Sequence, residues 1–233
     1  MGTNYWEGDN AFLLLALNYY KSTTGSLGEY VILSQALVSW LVERSESCNQ
    51  IVAEGVANMY AALKPFEDDT QVSNQLVSLK DCFFSIDQPS SVAYEQVLDH
   101  TVRGALVFGD ETGFGLLENF LRTETWEYDP EVTIHAYSAF SGDDFINIEI
   151  SSQLLLTVAL WKNYSKTPGL QEALEKLWLP GNSNASSLGL PYFMTERGFD
   201  NAHSIAIIDP TAFMLFYYWE FNPWAVGKKC SDC

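Results

Sequence analysis

Apolar residues recur at helical spacing along most of this 233-residue chain, and this periodicity constrains the fold more than any other feature. With 47% hydrophobic and 18% charged residues, the chain is able to bury a sizeable core and is not of the disordered class. The pattern predicts nine helices, over residues 9–22, 27–44, 54–64, 70–84, 92–108, 113–122, 148–164, 170–179 and 209–219. The acidic segment Asp68-Asp69-Thr70 is expected to cap the fourth helix, and Pro210 lies in the first turn of the ninth.

The odd-numbered helices share one design. Each begins near a carboxylate, at residues 9, 54, 95, 149 and 209, and continues with small, apolar and aromatic residues, with the segment near Glu95 the weakest member. The even-numbered helices are more amphipathic, as Leu170–Leu179 shows best. A period of about 40 to 60 residues is the scale of a helical-hairpin repeat. Alternating buried and half-exposed helices predict an all-α fold, an α/α toroid over residues 1–226, followed by a tail over 227–233.

Two segments interrupt the helical pattern. Thr125–Asn147 contains an alternating run, Val132–Tyr137, that predicts a short β-hairpin. Pro180–Ile208 is rich in Gly, Asn and Ser, and an irregular loop is expected there. Strand is therefore expected only within residues 125–147.

Three segments carry a family resemblance: Tyr5–Phe12, Ala53–Leu63, and Ile208–Phe213 together with Phe221–Trp224. Each resembles the opening of an inner helix in six-hairpin glycosidase-like proteins. The resemblance implies an α/α toroid and a carbohydrate ligand. Six hairpins contain twelve helices and the pattern predicts nine. The ring is therefore either open or the chain is the C-terminal part of a longer protein. In either case, helices at the opening lack a neighbour and leave apolar surface exposed. This predicts self-association of the chain.

In a ring of hairpins the inner helices all begin at one face, so their first carboxylates are expected to gather there. Glycoside hydrolysis requires two carboxyl groups about 5 to 9.5 Å apart. The predicted catalytic residues are Asp9, Glu54 and Asp209. The predicted substrate-binding residues are Trp6, Asn10, Asn58, Tyr60, Glu149, Gln153 and His203.

Two alternatives stay open. Acids at helix N-termini also cap helices and interact with the helix dipole, so each carboxylate has a structural explanation as well. The function is either a carbohydrate-active enzyme, most simply a glycoside hydrolase, or a non-catalytic helical scaffold that binds sugar or protein.

Composition excludes several other classes. The formal net charge of −18, from 30 acidic and 12 basic residues, disfavours nucleic acid and anionic membrane surfaces as partners. An acidic surface is compatible with a neutral or a cationic ligand, and equally with plain solubility. No apolar run approaches the ~20 residues that span a bilayer. The three histidines show no metal-ligand spacing, and no phosphate-binding loop is present, so neither metal nor cofactor is expected.

The compartment is left undecided by the sequence. Residues 1–10 lack a basic segment followed by an apolar one, so no signal peptide is expected. Cys230 and Cys233 form a C-x-x-C pair in the tail and are expected to be ordinary thiols. Asn163-Tyr164-Ser165 and Asn184-Ala185-Ser186 match the glycosylation acceptor pattern, which alone does not fix a compartment.

Overall fold

The computed structural model describes residues 7–48, 51, 53–85, 98–126, 129–181, 184–191 and 208–226. The described chain is mostly helical with small antiparallel hairpins, which confirms the predominantly helical prediction. It divides into two compact units, considered separately below. The first comprises the described residues of Met1–Ala93, Arg103–Asp110 and Pro223–Lys229. The second comprises those of Tyr94–Val102, Glu111–Asn222 and Cys230–Cys233. The assignment of residues 1–226 to one domain stays a prediction.

The first unit contains two helical hairpins. Its helices are α1 (Glu7–Thr24), α2 (Val31–Ser45), α3 (Ala53–Leu63) and α4 (Thr70–Phe84). A 3-10 turn over Gly28–Tyr30 leads into α2, and another over Lys64–Phe66 joins α3 to α4. Pro65 in that second turn explains why α3 ends where it does.

Contacts at both ends show that α1 and α3 run in the same direction. Near their N-termini, a Cβ built on Gly8 would lie 4.0 Å from the Cα of Gly55. Further along, the side-chain amide of Asn18 donates to the carbonyl oxygen of Ala62 at 3.0 Å. Arg44, at the end of α2, forms an ion pair with Glu7 at the start of α1, so α2 is antiparallel to α1. Helices α1 and α3 are therefore parallel, and α2 runs antiparallel to α1.

A disulfide joins Cys48, just after α2, to Cys82 near the end of α4, with their Cα atoms 6.2 Å apart. The C-terminal ends of α2 and α4 therefore lie close together. The cysteine pattern did not predict this bond, since the two residues are 34 positions apart and no local motif connects them.

The predicted difference in burial between odd-numbered and even-numbered helices is found only in part. Helix α3 is buried along nearly its whole length, whereas α2 and α4 bury one side. Helix α1 departs from the prediction for an inner helix, because Phe12, Leu13 and Tyr20 are exposed. Apolar residues lie on more sides of α1 than the neighbouring described elements cover.

Within the predicted capping segment Asp68-Asp69-Thr70, Asp69 is the residue that caps α4, its carboxylate accepting from the backbone amides of Gln71 at 2.8 Å and Val72 at 3.2 Å. We expect Asp69→Ala to lower the free energy of unfolding by about 1 kcal/mol, because two amides lose their acceptor. Asp69→Asn should be nearly neutral, since asparagine caps equally well. The matched control is Asp68→Ala, at an exposed neighbour outside the cap. Urea denaturation measures all three, and equal losses for Asp69→Ala and Asp68→Ala would contradict the assignment.

The second unit combines helices with two hairpins. Its described elements are β1 (Leu121–Trp126), β2 (Asp129–Tyr137), α6 (Ile148–Leu160), α7 (Leu170–Glu175), β3 (Leu179–Gly181), β4 (Asn184–Gly189) and α8 (Ile208–Tyr218). Helix α5 (Leu98–Arg103) precedes them in the chain, and its last residue belongs to the first unit. Strands β1 and β2 pair antiparallel, with Leu121 opposite Tyr137, and β3 pairs antiparallel with β4.

Helix α6 is the centre of the second unit. Every residue of it except Glu149 is buried, and it packs against α7, α8 and β2. Asn147 caps it by accepting from the amide of Ile150 at 3.0 Å. The Ser151 hydroxyl donates to the carbonyl oxygen of Tyr137 at 3.1 Å and accepts from the Tyr137 amide at 3.0 Å. These bonds fix the end of β2 on the helix.

Three predicted elements differ from the structure. The sixth predicted helix, 113–122, is a 3-10 helix over Thr112–Phe120 followed by β1, because two glycines weaken the helix and Leu121–Trp126 alternates in burial. The fifth, 92–108, is described only as α5 and a π-helical turn over Gly104–Phe108, with 92–97 outside the described residues. The loop predicted at 180–208 begins with the β3–β4 hairpin, whose small polar residues carry no alternation to reveal it.

His100 on α5 gives the second unit a pH dependence. Burial lowers the pKa of its imidazole below the usual 6.5, against a smaller opposing effect of Asp99. The unfolded chain therefore takes up the proton first, so the contribution to stability is complete above pH 6.5 and is lost as the pH falls through the folded pKa. We expect the free energy of unfolding to fall more between pH 8 and pH 5 for the wild type than for His100→Gln. The control is His135→Gln at the exposed histidine of β2, and equal falls in all three proteins would contradict the assignment.

Candidate functional site

The N-terminal ends of α1 and α3 form the starting point for a site in the first unit. Gly8 and Gly55 have no side chains where the two backbones approach, so the helices come close together there. Asp9 follows Gly8 and Glu54 precedes Gly55. The starts of α1 and α3 therefore lie close together, while the gathering of their carboxylates stays a prediction.

The buried side chain of Arg103 fixes the position of the Glu54 carboxylate. Only 3% of the Arg103 side chain is exposed, while 50% of the Glu54 side chain is exposed. One guanidinium nitrogen of Arg103 donates to Glu54 Oε1 at 2.7 Å, and the other donates to Asn58 Oδ1 at 3.2 Å. A buried arginine with two fixed acceptors positions a carboxylate that faces solvent.

Trp224 completes the support. Its indole N–H donates to Asn58 Oδ1 at 2.8 Å, and the Arg103 guanidinium lies 5.1 Å from the centre of its ring. The ring also contacts Phe12 of α1 at 6.3 Å between centroids. Phe12 lies one helical turn after Asp9 and is partly exposed. An accessible aromatic ring thus stands next to the same helix start.

Asn58 lies one turn beyond Glu54 on the same face of α3 and is fully buried. Its Oδ1 accepts two hydrogen bonds, from Arg103 and Trp224. Its Nδ2 has no hydrogen-bond partner among the described residues, and a Cβ built on Gly8 would lie 3.6 Å from it. The two accepted bonds fix the orientation of the amide, with its donor towards Gly8.

The electrostatics decide which chemistry Glu54 is suited to. The adjacent guanidinium favours the ionised carboxylate, which accepts hydrogen bonds and protons but does not donate them. Glu54 is therefore suited to binding hydroxyl groups, or to a base or nucleophile role, and not to a general acid. The ion pair offsets the charge of Glu54 itself, whereas Asp9 at the adjacent helix start adds a further carboxylate.

The other predicted residues of the first unit are placed less decisively. Asp9 is exposed in the first turn of α1, and Asn10 beside it is half-buried. Tyr60 packs its ring 4.6 Å from that of Phe108, within an aromatic cluster that includes Phe83. This contact gives Tyr60 a packing role whatever else it does.

The remaining predicted residues lie in the second unit or outside the described chain. Asp209 is exposed in the first turn of α8. Glu149 accepts from the side-chain amide of Gln153 at 3.0 Å, as neighbours one turn apart on α6. Trp6 and His203 lie outside the described residues. The roles of these five residues stay predictions.

Sequence reasoning missed Arg103 and Trp224. Arg103 is 49 positions from Glu54, and Trp224 is 166 positions from Asn58. No local spacing connects such pairs. The one available signal was the scarcity of basic residues, since an arginine in an apolar helix of so acidic a chain requires a partner.

Comparison with protein-family models, curated proteins and solved structures gave no match to this chain. Among the described residues, no group of three or more His, Cys, Asp or Glu side chains is placed to hold a metal ion. Within the same residues, no helix is long and apolar enough to cross a membrane.

Proposed function

We propose that the first unit binds carbohydrate at the paired starts of α1 and α3, with Glu54 as the principal hydrogen-bond acceptor. The observation that carries the proposal is the half-exposed Glu54 carboxylate, fixed by an arginine that is itself fixed by Asn58 and Trp224. A carboxylate positioned in this way binds hydroxyl groups without a large loss of side-chain entropy on binding.

Three further features support a sugar over other ligands. The ion pair neutralises Glu54, so the site does not demand a cation. Asp9 supplies a second carboxylate at the adjacent helix start. Phe12 offers part of a ring face, against which the apolar side of a sugar packs. The resemblance to six-hairpin glycosidase-like proteins implies the same ligand class and an α/α toroid, which we propose as the full architecture.

Hydrolysis is the catalytic form of this proposal. Glu54 would act as base or nucleophile, and Asp9 would supply the second carboxyl group, with Asp209 as a third candidate. The parallel starts of α1 and α3 support a pair of carboxylates on one side of the unit. A non-catalytic site would use the same groups only to bind.

A panel of neutral linear oligosaccharides tests the proposal. Binding is measured by calorimetry and hydrolysis by chromatography of the products, for the wild type and Asp9→Asn. If the protein hydrolyses its ligand, Asp9→Asn should reduce turnover about 100-fold with little change in affinity. Binding without hydrolysis would identify the non-catalytic form. Failure of the folded wild type to bind any member of the panel would refute the carbohydrate proposal.

One observation favours a second function, self-association as a helical scaffold. The start of α2 and its preceding turn expose a continuous apolar run, Tyr30–Leu33, in which Ile32 is 79% exposed. Such runs on a surface drive association. Light scattering of the wild type and Ile32→Lys tests it. A wild-type oligomer that Ile32→Lys dissociates supports a scaffold, whereas a wild-type monomer removes the argument.

A further inference from the structure

The segment Asn163-Tyr164-Ser165 lies between α6 and α7, and the proposed carbohydrate site does not involve it. The Ser165 hydroxyl donates to Asn163 Oδ1 at 3.1 Å. The hydroxyl that completes the acceptor pattern thus contacts the amide that would be modified. This bond engages the oxygen of the amide and leaves its nitrogen, the atom that takes a sugar, outside the contact.

The backbone presents Asn163 in a defined turn. Its amide donates to the carbonyl oxygen of Val158 at 2.8 Å, and its own carbonyl accepts from Lys166 at 3.1 Å. Lys162 before it adopts a left-handed conformation with φ of 52°. Asn163 is half-exposed, and Lys162, Ser165 and Lys166 around it are exposed. A large hydrophilic group on this side chain therefore has room in solvent.

The Cys48–Cys82 disulfide is an independent observation about the compartment. Disulfides form and persist in oxidising compartments such as the lumen of the secretory pathway. Glycosylation of asparagine takes place on chains that enter that lumen. The second acceptor match is less favourable, because Asn184 lies in β4, where its backbone pairs opposite Gly181.

We propose that Asn163 is an N-glycosylation site. The donor is an oligosaccharide linked to a lipid through a diphosphate. Asn163 Nδ2 forms a bond to the anomeric carbon of the donor sugar, and the bond from that carbon to the diphosphate oxygen breaks. The lipid diphosphate leaves with the bonding electron pair, and the amide nitrogen loses one proton to a base of the transferring enzyme.

The test is expression of the full chain behind a cleavable secretion leader in a eukaryotic cell, in an Asn184→Gln background. Mass spectrometry of the peptide carrying Asn163, before and after treatment with a peptide N-glycosidase, gives the occupancy. We expect occupancy in the parent and in Ser165→Thr, which keeps the hydroxyl, and at least tenfold less in Ser165→Ala. Asn163→Gln should show none.

The disulfide is mapped in the same samples. An unmodified Asn163 in parent protein that carries the Cys48–Cys82 bond would overturn the proposal, because the chain then reached the lumen and was not used as an acceptor. Unmodified protein without that bond would overturn it too, since the compartment argument would fail. Equal occupancy in Ser165→Ala and Ser165→Thr would show that the hydroxyl contact has no role in modification.

Discussion

Replacing Cys48 and Cys82 with alanine is expected to lower the free energy of unfolding by about 4 kcal/mol. The bond closes a loop between residues 34 positions apart, and removing it returns conformational entropy to the unfolded chain. It also joins the C-terminal ends of α2 and α4. Its loss therefore affects the scaffold on which α1 and α3 are held.

Thermal and urea unfolding of the wild type, with and without reductant, measure the effect. Reductant should destabilise the wild type and leave the Cys48→Ala/Cys82→Ala protein unchanged, which provides the control. A wild type as stable in reductant as without it would contradict the prediction.

Arg103→Ala is expected to cost about 3 kcal/mol of stability. The substitution removes hydrogen bonds to Glu54 and Asn58, removes the contact with the Trp224 ring, and leaves a cavity in the first unit. Most of this loss in stability comes from the lost contacts with Asn58 and Trp224. The lost bond to Glu54 contributes less, because Glu54 is half-exposed and water solvates its carboxylate once the arginine is gone. Arg103→Lys should also destabilise the protein, since an ammonium group does not reproduce the planar guanidinium that donates to both Glu54 and Asn58.

The matched control is Arg44→Ala. Arg44 also pairs with a glutamate, Glu7, but 47% of its side chain is exposed, so the loss should stay below about 1 kcal/mol. Urea denaturation compares the two variants. Equal losses would mean that the Arg103 network does not stabilise the first unit more than a surface ion pair does.

The elements predicted from sequence are those whose residues carry a local signal. The helices around Leu14, Met59 and Leu154 were predicted because apolar residues repeat at helical spacing within each one. The cap of α4 was predicted within Asp68-Asp69-Thr70, because a capping residue is adjacent in sequence to the amides that it accepts from. Residues 113–122 were predicted as an α-helix from their apolar residues, but Thr112–Phe120 is a 3-10 helix and β1 begins at Leu121. The β3–β4 hairpin was missed, because its small polar residues show no alternation.

The candidate site was likewise predicted only where its residues are close together in sequence. Glu54 and Asn58 were predicted because they lie one turn apart on one helix. Arg103 and Trp224 come from distant parts of the chain, and only the folded unit brings them to Asn58. Because Arg103 pairs with Glu54, Glu54→Gln is expected to lower the stability of the first unit. This substitution removes the negative charge that pairs with the buried guanidinium of Arg103.

The most direct test of the central claim is calorimetric titration of Glu54→Gln with the oligosaccharide that binds the wild type best. The control is Glu43→Gln, which removes the same charge from an exposed position on α2. Melting curves establish the temperature at which all three proteins are folded, and the titrations are made below it. The prediction is at least a tenfold loss of affinity for Glu54→Gln, or about 1.4 kcal/mol, with Glu43→Gln unchanged. Wild-type affinity in folded Glu54→Gln would contradict the assignment of Glu54 as the ligand-binding carboxylate.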